Sequence, residues 1–236
     1  MAAGTLADLD DAPLVPRLST AVVRRLDEVV WGTLPLAVVS VMAIGAAMAD
    51  QAGRQAMRLL GDQSFIGLEY PVLGVQEFCP LIVAVVLALR VGAGVAAELG
   101  ALRADETLDA LTVLGLSPVR ARVTPILFAL PIGAVILTLP CLVAWETAGV
   151  LVMLARSGIN PFTFVHPEVI TPPLLALAAV KAAAAGAAIG IGAVTAALED
   201  AARARTVGEI VTRGVVRGTL LALFVNLVLD VWWFLS

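Results

Sequence analysis

The chain has 236 residues, of which 60% are hydrophobic and only 14% charged, with a net charge of −4 and a mean hydropathy of +0.99. An average soluble domain is about 25% charged and about 45–50% apolar, so a soluble core of this size would leave much apolar surface in water. The composition excludes a soluble enzyme, a disordered chain and a disulfide scaffold, and the acidic balance argues against a nucleic-acid partner; an all-α integral membrane protein is indicated.

The N-terminal segment 1–13 contains three aspartates and no basic residue. A signal peptide needs a positive start followed directly by an apolar run, so we interpret this segment as a cytoplasmic tail. The stretch 14–30 that follows places apolar residues at helical spacing with charges largely off that stripe. This pattern predicts an amphipathic helix lying in the cytoplasmic interface. A cytoplasmic extension of the first span is the alternative, which Gly32 and Pro35 disfavour because they interrupt helical continuity.

Five apolar runs are long enough to cross a bilayer, which requires about 20 mostly apolar residues. The predicted spans are 29–49, 78–97, 123–145, 169–198 and 218–235. The distribution of arginine gives their orientation, because cytoplasmic segments are enriched in basic residues. With a cytoplasmic N-terminus, the cytoplasmic arginines are Arg17, Arg24, Arg25, Arg103, Arg120, Arg122, Arg203, Arg205, Arg213 and Arg217. The opposite side has only Arg54, Arg58 and Arg156, so we expect the C-terminus to be extracytoplasmic.

The loop between spans two and three carries its own helix signals. The run 98–118 is predicted to form a short cytoplasmic helix, with Gly115 suited to a left-handed C-terminal position and Pro118 to the first turn of the next helix. Glu106 and Asp109 lie on one side of it. We interpret the helix as a docking surface for a cytoplasmic partner; a solvated loop helix without a partner is the alternative. Glu98, at the membrane edge, is expected to fix the join between span two and this helix.

Three ionisable residues lie inside the predicted spans: Arg90, Lys181 and Asp230. Such residues usually face a bundle interior or a wet cavity, so they are candidates for a lipid-headgroup path. Arg90 and Asp230 lie near span ends, and each could instead extend to the nearer interface. Lys181 is more central and is expected to contribute a positive charge to a polar interior site.

The sequence offers no catalytic or metal site. Cys79 and Cys141 lie in apolar runs without metal-ligand spacing, and His166 is far from both. A P-loop requires a lysine after a glycine-rich turn, whereas Lys181, the chain's one lysine, follows Val180 inside a span. No cofactor is therefore expected on this chain, and ATP with its magnesium would be bound by another polypeptide.

The run AAELGALRADETLDALTVLGLSPVR strongly resembles the signature of the MlaE/YrbE family of ABC-transporter permeases, which occur with MCE proteins. The matching positions are Glu98, Leu99, Gly100, Glu106, Asp109, Ala110, Leu111, Gly115 and Pro118. Thr107 and Leu108 replace the usual Gln-Ile. Lys181 and Arg213 match basic residues that are common in the family, and Asn226 stands where an acid is frequent, with Asp230 one helical turn further on.

The resemblance implies one permease domain over residues 14–236, acting as the membrane subunit of an ATP-driven lipid transporter. Implied partners are a second permease subunit (identical or a paralogue), a cytoplasmic ABC ATPase and an extracytoplasmic MCE-domain protein, in the bacterial inner membrane. The ATPase-coupling residues would be Glu98, Gly100, Glu106, Asp109, Leu111, Gly115 and Pro118. The transport-path candidates are Lys181, Arg90, Asn226 and Asp230. A secondary transporter or scramblase independent of ATP, and a membrane anchor for the MCE protein, are the alternatives.

Overall fold

The computed structural model describes residues 18–61, 66–115, 117–155, 165–199 and 206–235. Within these ranges the secondary structure is helical, with no strand, which confirms the all-α prediction. The predicted tail 1–13 and residues 14–17 of the amphipathic stretch lie outside the described residues. The helices are α1 Leu18–Leu60, α2 Ile66–Ala104, α3 Thr107–Val113, α4 Thr124–Ala155, α5 Pro172–Glu199 and α6 Val207–Leu235. All except α3 have the length and apolar composition to cross a membrane, as predicted for five spans.

Helix α1 joins the predicted amphipathic stretch to the first span. It contains 43 residues and passes without interruption through Gly32 and Pro35, so the segment before the span is a helical extension of it, the alternative that the sequence left open. At about 1.5 Å per residue α1 is about 65 Å long, twice the thickness of the hydrocarbon core. Both of its ends therefore extend beyond the bilayer.

Helix α2 is also longer than its apolar run indicates, because it begins at Ile66, twelve residues before the predicted span. Two wide π turns interrupt its α-helical pattern, at Gly74–Phe78 and Ala88–Gly92. A π turn breaks the regular hydrogen-bond ladder and frees backbone carbonyl groups for side chains. Both turns coincide with charged residues, Glu77 in the first and Arg90 in the second.

The bundle contains two tightly packed helix pairs, and α2 together with the contact of α4 on α5 joins them. Helix α1 packs mainly along α4, and α5 packs along α6. Where α5 packs on α6, Gly192 and Gly218 allow the two backbones to approach closely. A Cβ on Gly192 would lie 2.4 Å from the Gly218 nitrogen. The outward faces carry exposed large apolar side chains, for example Phe224 and Leu227 on α6, as expected of helices in lipid.

The loop between α2 and α4 differs from the single helix predicted over 98–118. Residues 98–104 continue α2, because Leu99 is fully buried and Gly100 packs against Ile210 of α6. The chain then turns at Glu106, which has a left-handed φ of 56°, and only Thr107–Val113 form the loop helix α3. Gly115 has the predicted left-handed conformation, with φ of 74°.

Candidate functional site

Lys181 lies at the centre of a charged cluster inside the helix bundle. Its side chain has no exposed surface, and its Nζ lies 3.1 Å from Oε2 of Glu77 and in contact with Oδ1 of Asp230. Nζ also donates a hydrogen bond of 2.7 Å to the backbone carbonyl of Gln76. The ammonium thus faces three oxygen atoms, contributed by α2 and α6. Along α5 the cluster lies nearer the N-terminal end, and along α6 it lies nearer the C-terminal end.

The first π turn of α2 positions this cluster. Gln76 and Glu77 both belong to it, so the turn supplies a carbonyl and a carboxylate to the same ammonium. Trp145 of α4 packs directly on Gly74, where a Cβ would lie 2.4 Å from the indole ring. The indole Nε1 donates to the Tyr70 carbonyl at 3.0 Å, and the Tyr70 hydroxyl donates to the Trp145 carbonyl at 2.9 Å. These reciprocal bonds hold the α2 backbone at the turn.

The charges of the cluster do not balance when all three groups are ionised. Two carboxylates face one ammonium, and the carboxylates of Glu77 and Asp230 also interact with each other. Their side chains retain about a third and a quarter of their exposure, whereas Lys181 retains none. The accessible side of the cluster is therefore acidic. Removing any one of these groups changes the charge buried between α2, α5 and α6.

The structure brings together part of the predicted transport path. Lys181 and Asp230 are in contact, and Asn226 is buried one turn before Asp230 on α6. Arg90 is not part of the cluster: it belongs to the second π turn, and its guanidinium lies against Gly32 of α1. Glu77 was missed because the predicted span began at Phe78, one residue later. The preference of intramembrane charges for a partner was the available signal that Lys181 needs acidic residues nearby.

Helix α3 presents a mixed acidic and apolar surface. Asp105, Glu106 and Asp109 are exposed, while Leu108 is buried and anchors the helix. At the C-terminal end of the helix, Val113 is 88% and Leu114 73% exposed. Large apolar side chains are seldom this exposed in water. Their exposure next to carboxylates is therefore typical of a contact surface for another protein.

Three of the other predicted coupling residues lie in α3 or shortly after it in the chain. Leu111 and Pro118 are half-buried, and Gly115 turns the chain towards α4. Glu98 points elsewhere: Nη2 of Arg25 donates to both of its carboxylate oxygens, and Nη1 of Arg25 lies 3.0 Å from Glu28. Glu98 thus ties the end of α2 to α1, a partner that the sequence did not indicate.

No set of three metal-ligating side chains comes together in the part of the chain that the structure describes. Cys79 and Cys141 are free and buried, and the Cys79 thiol donates to the Cys141 carbonyl at 3.6 Å. Both thiols therefore serve packing between α2 and α4.

The family model described as Permease MlaE matches residues 22–232. A probable ABC transporter permease protein from Synechocystis is 30% identical over 196 residues, which cover 82% of this chain and 74% of that protein. One from Rickettsia prowazekii is 26% identical over 218 residues, covering 89% of this chain and 82% of that protein. The chloroplastic protein TRIGALACTOSYLDIACYLGLYCEROL 1 of Arabidopsis thaliana is 28% identical over 193 residues, or 81% of this chain and 55% of that protein.

Proposed function

We propose that this chain moves a lipid, and that a separate ATPase drives the transport. The proposal proceeds from its family: the chain belongs to the MlaE permease family and is therefore a multi-pass membrane permease of an ABC-type transporter. In this proposal the chain works with a second permease subunit and an extracytoplasmic MCE-domain protein in the bacterial inner membrane. Its N-terminus is cytoplasmic and its C-terminus extracytoplasmic. ATP and magnesium are bound by the ATPase, and this chain supplies the membrane path and the docking surface.

The observation that carries the proposal is the exposed surface of α3. A seven-residue helix between two spans is too short to form a domain, yet it displays Glu106 and Asp109 beside the exposed Val113 and Leu114. Carboxylates around an apolar centre suit a partner that presents arginines around an apolar pocket. Because two residues separate α3 from α2 in the chain and ten separate it from α4, a push on α3 would move both spans.

Two further observations support a lipid as the cargo. The Arabidopsis relative is named for a galactosyl diacylglycerol, a lipid, although that name describes the relative alone. In this chain, an apolar cavity of about 220 Å³ lies between α1, α2 and α4 and is lined by Met48, Tyr70 and Trp145. Such a space suits a segment of hydrocarbon chain.

The test is charge reversal on α3 in the complete complex. Glu106→Arg with Asp109→Arg should weaken ATPase association, since losing one desolvated charge pair costs about 2–5 kcal/mol, or at least about 30-fold in Kd. The permease itself should still insert and dimerise. Asp27→Arg is the matched control, because Asp27 is an exposed acid on α1, outside the α3 surface; it should leave ATPase association unchanged.

The outcome also separates the alternatives. A scramblase or a membrane anchor would not copurify with a nucleotide-binding subunit, and its lipid movement or MCE binding would not depend on ATP. Wild-type ATPase association and wild-type lipid transport in the double reversal would contradict the role of α3 in coupling.

A further inference from the structure

Glu146 is the one charged residue in the 32 residues of α4. The predicted span ended one residue before it, but α4 continues beyond it for nine uncharged residues. The adjacent Trp145 lies against Gly45 of α1, where a Cβ would be 3.1 Å from the indole ring. Gly45 belongs to the charge-free stretch 29–49. Glu146 is therefore level with the apolar span of α1 and not with the water beyond it.

The carboxylate of Glu146 forms no hydrogen bond or ion pair with any residue that the structure describes. Its half-buried side chain lines an outward-facing groove of about 530 Å³ between α4 and the start of α5, which we call the Glu146 groove. The Thr147 hydroxyl also lies there, but it donates its proton to the Val143 carbonyl at 2.7 Å. The remaining lining is apolar and consists of Leu139, Leu142, Val143, Val150, Ile170 and Leu175. The groove thus presents one unpaired carboxylate in apolar surroundings.

The position of Glu146 is unfavourable for an unpaired charge. Ionisable side chains inside a membrane generally pair with one another or face a water-filled cavity. The Lys181 cluster follows this rule within the bundle, whereas Glu146 lies on the outer surface, where Leu139 and Val143 of the same groove are 60% and 67% exposed. The partner of Glu146 is therefore supplied from outside the described part of the chain. The complement of a carboxylate is a basic side chain, which binds it through charge-assisted hydrogen bonds.

A second copy of this chain does not offer such a side chain at the right level. Its Lys181 is fully buried and already paired. Its Arg54 is nine residues beyond Gly45, about 13 Å further along α1, and is paired with Asp50. Its Arg90 lies against Gly32, which is about 20 Å away from Gly45 in the other direction. Among the described residues, a copy with the same orientation thus has no free basic side chain level with Glu146.

From these observations we infer that the Glu146 groove docks a transmembrane helix of a different protein, one that carries a lysine or arginine inside its own span. The lining residues of α4 extend from Leu139 to Val150, about 16 Å or three helical turns, so the groove follows the helix axis. A protein segment at this depth is helical, because its backbone groups find no water to bind. Its apolar side chains pack on the walls of the groove, and its basic side chain binds Glu146. The inference goes beyond the proposed function and depends neither on the cargo nor on α3.

The experiment measures the binding of model transmembrane helices to the complete complex in phosphatidylcholine vesicles. Two leucine–alanine peptides long enough to span the bilayer are compared, one with a single lysine level with Glu146 and one with leucine at that position. Binding is followed by energy transfer from a dye on Leu154→Cys, which is exposed on α4 two turns beyond Glu146, to an acceptor on the peptide. The lysine peptide should bind about tenfold more tightly than the leucine peptide, the size of a strong polar contact between membrane helices.

Variants of Glu146 test whether the carboxylate causes this preference. Glu146→Gln should abolish it, and Glu146→Lys should transfer it to a peptide with glutamate in place of the lysine. Glu69→Gln is the matched control, because Glu69 is an exposed acid on α2 that does not line the Glu146 groove; the preference should stay at the wild-type value.

A further variant keeps the charge and fills the groove. Val143→Trp should weaken the binding of both peptides although Glu146 is intact. Equal binding of the two peptides to the wild-type complex, or an unchanged preference in Glu146→Gln, would overturn the inference. Loss of the preference when phosphatidylethanolamine replaces phosphatidylcholine would also overturn it, and would identify a lipid amine as the occupant of the groove.

Discussion

At the scale of single residues, Lys181 shows how one buried charge constrains three helices. It is the only charged side chain that is buried within the described ranges. Replacing it with methionine would leave Glu77 and Asp230 facing each other without a cation. Breaking a buried ion pair in this way costs about 3–5 kcal/mol, and we expect the lower end because both carboxylates are partly exposed. Thermal unfolding of the purified complex should show a lower midpoint for Lys181→Met.

The same cluster supplies the control for that prediction. Glu77→Gln and Asp230→Asn, added together to Lys181→Met, remove all three charges and should restore most of the lost stability. Glu77→Gln alone should cost least, since it leaves one ammonium facing one carboxylate. A triple variant no more stable than Lys181→Met would mean that the lysine acts through the packing of its hydrocarbon stem.

The sequence identified two of the three charged residues of this cluster. Lys181 and Asp230 stand out because charges are rare in apolar runs, so composition alone marks them. Glu77 does not stand out, because it precedes an apolar run and could equally lie in water. Only the three-dimensional register of α2 against α5 and α6 places it beside Lys181, and register across helices is not encoded in hydropathy.

At the scale of helices, the Arg25–Glu98 pair connects the N-terminal part of α1 to the end of α2, close to α3. In α4, the span that follows α3 in the chain, Gly133 packs against Val29 of α1. The same segment of α1 therefore contacts both spans that α3 joins. Arg25→Glu and Glu98→Arg should each reduce ATP-driven lipid transport, and the double exchange should recover part of it. The recovery is partial because the exchanged carboxylate lies one turn from Glu28.

The measurement for this pair is a double-mutant cycle on transport rate and unfolding free energy. Residues in direct ionic contact typically couple by about 0.5–3 kcal/mol, whereas independent sites do not couple. Additive effects of the two single exchanges would show that Arg25 and Glu98 act separately.

Close helix packing gives a second prediction at this scale. At Gly192 a Cβ would lie 2.5 Å from the Gly218 Cα, so Gly192→Ala forces α5 and α6 apart and should cost about 1–3 kcal/mol of stability, typical of overpacking. Gly94→Ala is the matched control on α2, because nothing lies within 4 Å of its added methyl group. It should be neutral or slightly stabilising, since alanine favours a helix over glycine. Chemical unfolding of both variants checks the difference.

Hydropathy predicted the number of long helices correctly but underestimated their lengths. The apolar runs mark the five segments in lipid, but α2 begins twelve residues before its run and α6 eleven residues before its run. These extensions contain Glu69 and Glu209, charges that a helix tolerates once it leaves the hydrocarbon. A transmembrane helix ends where its backbone hydrogen bonds and its packing end. This residue need not be the last residue of the apolar run.

For the whole molecule, the five candidate spans in the described ranges predict that residues 18 and 235 lie on opposite sides of the membrane. The segment between α4 and α5 supplies a chemical marker for one side. Glu168 is exposed there, and its hydrogen bond to its own backbone, aided by His166 at 2.8 Å, holds the pKa of the carboxyl below its usual range. Because Glu168 is exposed and charged, we expect residues 166–168 to lie in water rather than in the hydrocarbon core.

The arginine distribution predicts that this water is on the extracytoplasmic side, and cysteine labelling tests the prediction. Glu168→Cys should react with a membrane-impermeant maleimide added to intact cells, whereas Asp105→Cys beside α3 should react only after the membrane is opened. Both positions are exposed, so access to reagent differs only by side. The native Cys79 and Cys141 are fully buried and should contribute little background, which the unsubstituted protein measures directly. Labelling of Asp105→Cys in intact cells, with Glu168→Cys protected, would reverse the topology and would place α3 where no cytoplasmic ATPase could reach it.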